Sequence, residues 1–167
     1  MKIIKYTLLT VVIIAIIVTI FTSLLNVQKM VVIQSGNSEK LAIPITLGHF
    51  QDSDCGMVIN DLTYSSQVVS PDGNTWFFHD HGGMVKWLEK RPFKDYATIW
   101  VYAKDSKKYI LAKDAYFSRV DDTPMGYGFG AYEKREENLI PYDEMRLLML
   151  RGEDLNNPQV RQILGVN

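Results

Sequence analysis

A thiol and a thioether stand two residues apart in Cys55-Gly56-Met57, and the glycine between them lets the backbone fold closely enough to turn both sulfurs toward one soft ion. Thiolate and thioether donors together favour Cu(I), whereas zinc accepts Cys and His and gains little from Met. Further along, His79-Asp80-His81 offers two imidazoles that share a face if strand conformation persists, and imidazole suits copper and zinc alike. Met125, between Pro124 and Gly126, is a methionine outside any helical spacing, and His49 is the remaining histidine. Each of these residues also has a plainer role. Met57 heads a strand and suits a core, Asp80 is placed to cap a helix and leave one histidine in solvent, and a lone cysteine can be a small buried hydrophobe. Met84 packs with Trp87 and Leu88, and Met145 and Met149 have helical spacing.

No nucleophile–base motif accompanies these donors. The chain lacks G-x-S-x-G, H-E-x-x-H and a phosphate-binding loop, and the alternation Gly126-x-Gly128-x-Gly130 fits neither a dinucleotide nor a phosphate fingerprint. Cys55 with one of the histidines could serve as a thiol catalyst, but no resolving cysteine is present, so a non-enzymatic role is expected.

The elements that must position the donors follow from periodicity and punctuation. Residues 41–47, 57–60 and 63–69 have strand character, and the turn Ser70-Pro71-Asp72-Gly73-Asn74 joins the last of these to residues 75–78 as a hairpin. The period then changes to three and four, giving a short helix over 82–90 with Asp80 at its start and Pro92 beyond its end. Residues 97–103 and 109–112 form a second hairpin around Lys104-Asp105-Ser106-Lys107, and a final helix covers 142–151. The fold expected is α+β: an N-terminal transmembrane helix and one domain of two ββα-type units with antiparallel strands.

Between Lys5 and Lys29 there is no charged residue, and residues 6–28 (YTLLTVVIIAIIVTIFTSLLNVQ) can cross a hydrocarbon core of about 30 Å as a helix. Lys2 and Lys5 precede the run, which places the N-terminus in the cytoplasm and the rest outside. The run exceeds the apolar core of a signal peptide and lacks a small-x-small cleavage site, so an uncleaved anchor is expected. Beyond it remain 16 basic and 19 acidic residues, a net charge of −3, which argues against nucleic acid as a partner. The organisation read from this is a cytoplasmic tip and anchor over 1–28, a stalk over 29–40, an extracytoplasmic domain over 41–155 and a tail over 156–167. Cys55, the only cysteine, then faces a compartment where thiols are normally paired, and it has no partner in the chain.

DCGMVI (residues 54–59), FFHDHGGMVKWL (77–88) and PMGYGFGA (124–131) follow one another in the order and approximate spacing of NosL-type copper chaperones, the accessory proteins of nitrous oxide reductase. The resemblance runs from about residue 52 to residue 151. It implies a periplasmic Cu(I)-binding protein at a bacterial inner membrane, handing copper to nitrous oxide reductase by way of a membrane transporter complex. It also implies a fold of two ββα units similar to organomercurial lyase. Cys55 and Met57 match the family's Cys-x-Met; His79, His81 and Met125 complete the candidate donor set from their chemistry and neighbouring motifs. The chain departs from the family in its anchor, because the proteins it resembles are attached through an acylated cysteine near the start of the mature chain. That departure leaves a related copper enzyme, such as an oxidase, as a second recipient. The alternative class is a structural or interaction subunit of a membrane complex, in which Cys55 is buried and inert.

Overall fold

A computed structural model describes residues 2–25 and 29–166. The first element, α1 (Lys2–Leu25), carries no charge from Tyr6 to Ser23. It is long and apolar enough to span a membrane, and among the described residues nothing buries that stretch. The hydroxyls of Thr10, Thr19 and Thr22 donate to the carbonyls of Tyr6, Ala15 and Val18 at 2.9, 2.7 and 2.9 Å, which satisfies them within the helix as an apolar surround requires. The end of the expected span, residues 26–28, lies outside the described residues.

The domain is α+β, with antiparallel sheets and helices that follow strands. β2 (Ser66–Val69) and β3 (Thr75–Phe78) form the first hairpin in the register Ser66↔Phe78 to Val69↔Thr75. The expected turn closes it, with Ser70 N–H donating to the Asn74 carbonyl and Gly73 at φ 79°. β4 (Thr98–Ala103) and β5 (Lys108–Leu111) form the second hairpin, and β4 also pairs with β2. The two hairpins therefore share one five-stranded sheet in the order β1-β3-β2-β4-β5, with β1 (Ile33–Gln34) on its edge. β6 (Tyr116–Phe117), β7 (Ala131–Tyr132) and β8 (Ile140–Pro141) make a second small sheet.

Helices α2 (His81–Glu89) and α3 (Tyr142–Arg151) pack together, and α2 lies on β2 and β3. Their apolar stripes supply Met84, Val85, Leu88, Met145 and Met149 to a core completed by Phe78, Val101, Phe117 and Phe129. The opposite face of the sheet is covered by irregular chain. Phe77 is fully buried there between Phe50 and Ile59, flanked by Ile43, Ile45 and Leu62. Complete burial of a side chain of this size contributes about 1.5–3 kcal/mol.

Three segments differ from expectation. Residues 41–47 form no strand, because the buried Gln67 carboxamide captures the backbone of Ile43 on both sides, at 2.8 Å each, and leaves it no ladder to join. Residues 57–60 contribute a single bridge, Gln51↔Val58. The segment read as a stalk enters the domain: Val31 bridges Phe50, and β1 pairs with β3 through Ile33↔Trp76. The tail holds α4 (Pro158–Leu164), capped by the Asn157 side chain and seated through the buried Val160.

Candidate metal centre

Asp52 organises the turn that carries Cys55. Its Oδ1 accepts from the N–H of Asp54 at 2.8 Å and of Cys55 at 3.1 Å. Its backbone N–H donates to the Met57 carbonyl, and its own carbonyl accepts from Gly56 N–H. Gly56 sits at φ 76°, where a side chain would be strained, so the glycine inside Cys-x-Met is what lets the turn close. Oδ2 reaches across to the end of β3 and accepts from His79 N–H at 2.9 Å and from His79 Nδ1 at 2.6 Å. Burial raises the Asp52 carboxyl, and the His79 side chain and backbone donors more than reverse that, so its pKa falls below the ordinary value.

The Cys55 thiol is exposed and lies 3.8 Å from His79 Nδ1. Partial burial pushes its pKa up, reinforced by the carboxylates of Asp52 and Asp54. Ligand atoms of Asp52, Cys55 and His79 all lie within 4.8 Å of one another, a set that could hold a metal ion. The 2.6 Å carboxylate contact puts the imidazole proton on Nδ1 and the ring lone pair on Nε2. That Nε2 atom is buried and has no hydrogen-bond partner, while His79 as a whole is 9% exposed. His79 lines a cleft of about 470 Å³ whose walls include Val58, Tyr64, Asp61 and Asp122. Cys55 Sγ approaches Nδ1, the nitrogen that also faces Asp52, so an ion shared by all three residues would take the place of the Nδ1 proton.

The same geometry differs from that of a cysteine–histidine–carboxylate relay. A cysteine–histidine–carboxylate relay needs the sulfur on one ring nitrogen and the carboxylate on the other. Here both approach Nδ1, and the thiol is shifted away from the thiolate.

The two histidines do not share a face. Asp80 ends the extended backbone and caps α2, accepting from Gly82 N–H at 2.8 Å, so His81 becomes the first helical residue and turns into the core. Its Nδ1 contacts Ser66 Oγ at 2.9 Å, its ring packs edge-on to Phe117, and burial lowers its pKa to about 3. His81 is fully buried and is not brought to the Asp52–Cys55–His79 group. Met57 rides on the same turn as Cys55 with its side chain 44% exposed. Met125 is half-buried and is fixed through its backbone, donating to Asp80 Oδ2 at 2.9 Å and accepting from Asn156 Nδ2 at 3.0 Å. His49 is exposed and gives its carbonyl to Val31.

Asp52 is the member of the Asp52–Cys55–His79 group that the sequence does not single out. The signal was a carboxylate three positions before the cysteine in a turn-forming run, a spacing that lets it accept from the turn's own N–H groups. Comparison with protein-family models, with curated proteins and with solved structures finds no match to this chain.

Proposed function

We propose that the protein is a membrane-anchored periplasmic Cu(I) metallochaperone, not an enzyme, whose cargo is bound by Cys55 and His79 with Met57 as a further soft donor. The observation that carries the reading is an accessible thiol beside a histidine already oriented by a buried carboxylate. A carrier must expose its ligand to a recipient, and an exposed Cys55 speaks against the inert structural alternative. In this reading binding displaces the Cys55 proton and the proton between His79 Nδ1 and Asp52, since the thiolate and an unprotonated imidazole nitrogen are the ligands. The resemblance to NosL-type proteins supplies the recipient: nitrous oxide reductase or a related copper enzyme, reached through a membrane transporter complex in the bacterial inner membrane. The apolar α1 is compatible with holding the carrier there.

One observation favours a second metal. Asp52 offers an oxygen in the same group, and a Cys, His and carboxylate set also suits zinc. Anaerobic Cu(I) titration of the full chain in detergent, against a chromophoric chelator, decides between them. Cys55→Ala should lose Cu(I) by at least about tenfold, a difference of about 1.4 kcal/mol. Met57→Leu should weaken Cu(I) and leave zinc unchanged. Equal Cu(I) binding by wild type and Cys55→Ala would sink the proposed site, and a zinc preference indifferent to Met57 would reassign the metal.

A further inference from the structure

The segment that follows the membrane helix borders a groove of about 350 Å³, lined by Val32, Ile33, Ser53, Trp76, Trp87, Arg91 and Phe93 among others. Its floor is aromatic: Trp76 stacks on Phe93 with centroids 5.1 Å apart, and Trp87 lies 5.2 Å from Trp76. The Arg91 guanidinium sits 4.1 Å from the Trp87 ring centroid. Among the described residues it has no carboxylate within ion-pair distance, and its Nε is buried without a hydrogen-bond partner. Val32 and Ile33 are 36% and 50% exposed on the edge of the sheet. An unpaired cation over an apolar aromatic floor matches an amphiphile with an anionic head.

The covalent chain says which amphiphile is at hand. Leu25 ends α1, and Val31 is already hydrogen-bonded into the domain. Six Cα–Cα steps of about 3.8 Å hold the two within about 23 Å. We infer that this groove docks on the bilayer that holds α1, with Arg91 taking a phospholipid phosphate and Trp76, Phe93, Val32 and Ile33 meeting the boundary with the acyl chains. Guanidinium groups bind phosphate oxygens in pairs, tryptophan concentrates at membrane interfaces, and arginine is among the side chains that anchor there. The inference rests on the reading of α1 as a membrane anchor. Its consequence reaches the metal group: Ser53 Oγ donates to the Val32 carbonyl at 2.7 Å, and Ser53 belongs to the turn that holds Cys55. A docked groove therefore fixes the thiol's orientation to the membrane surface.

The test uses the full chain reconstituted in vesicles of phosphatidylethanolamine and phosphatidylglycerol, with bromine on the acyl chains near the headgroup in a matched set. α1 contains no tryptophan, so a Trp100→Phe background leaves Trp76 and Trp87 as the only reporters. Brominated vesicles should quench the part-exposed Trp76 while Trp87, 3% exposed in the core, is shielded, so the combined emission should fall by up to about half. Ile33→Ser and Arg91→Gln, each with unchanged circular dichroism, should remove most of that quenching. Absence of quenching, or equal quenching in the variants, overturns the proposal. Relief of quenching by inorganic phosphate marks a free-anion site and also overturns it. Failure of the protein to float with the vesicles is a different result: it removes the anchor reading, and the docking with it.

Discussion

Replacing His81 separates a core histidine from a metal ligand. In the folded chain burial lowers its pKa from 6.5 to about 3, because a protonated ring would leave water for a pocket walled by Phe117 and Tyr64. The unfolded chain therefore takes up a proton near pH 6.5 that the folded chain refuses until about pH 3. Between those values the unfolded state binds more protons, so stability falls as pH falls. From pH 7 to pH 5 the loss is about 2 kcal/mol at about 1.4 kcal/mol per unit. Asp52 has its depressed range below the ordinary value of 3.8 and contributes little there. Asp80, raised by burial, acts in the opposite direction, but it remains in the variant and cancels in the comparison. His81→Asn keeps a partner for Ser66 and should cost about 1–3 kcal/mol at pH 8 through the lost volume. Urea unfolding of the full chain in nonionic detergent at pH 7 and pH 5 should show wild type losing about 2 kcal/mol more than the variant. Equal losses in the two proteins would refute the burial of an unprotonated His81. The same variant should bind Cu(I) as wild type does, which a ligand role for His81 forbids.

Two further predictions concern the frame around the site. Asp80 accepts from Gly82 N–H and Met125 N–H at 2.8 and 2.9 Å, so Asp80→Ala leaves one buried and one part-buried donor unpaired. Urea unfolding should report a loss of about 2–4 kcal/mol, with Asp80→Asn recovering part of it, and an unchanged midpoint would contradict the cap. A Cβ at Gly82 would lie 2.6 Å from the Tyr127 ring, and Tyr127 is held by Thr123 and Leu155, so Gly82→Ala should cost about 1–3 kcal/mol. Thermal unfolding should show the loss, and combining it with Tyr127→Ala should cost less than the sum of the two single changes.

The parts of the fold that were legible in sequence are those set by local chemistry. The Ser70–Asn74 turn, the Asp80 cap and the three-and-four spacing of Met84, Trp87 and Leu88 each act within a few residues, and the structure forms the hairpin and helix they imply. Residues 41–47 failed for a non-local reason. Their alternation is that of a strand, but Gln67, distant in sequence, holds Ile43 by its side chain. Pairing of β2 with β4, which fuses two expected units into one sheet, is likewise a long-range choice. At the site, strand periodicity placed both histidines together, and the switch to helical backbone at Asp80 parted them. Asp52 went unseen because its role depends on the end of β3 arriving beside the turn, which no local pattern encodes.

The stalk is where this matters most for function. A free segment over residues 29–40 would let a carrier swing its site through solvent toward a recipient. In the folded domain that freedom is gone: Val31 N–H donates to His49, Gln51 N–H returns to Val31, and Ser53 holds Val32, so the first ordered strand after the helix and the Cys55 turn are one hydrogen-bonded body. Any motion that lifts the thiol away from the membrane must move the whole domain or break those bonds, each with a net contribution of about 0.5–1.5 kcal/mol. In the carrier proposed above, the recipient of the ion would have to meet Cys55 as part of this hydrogen-bonded body and not on a free arm.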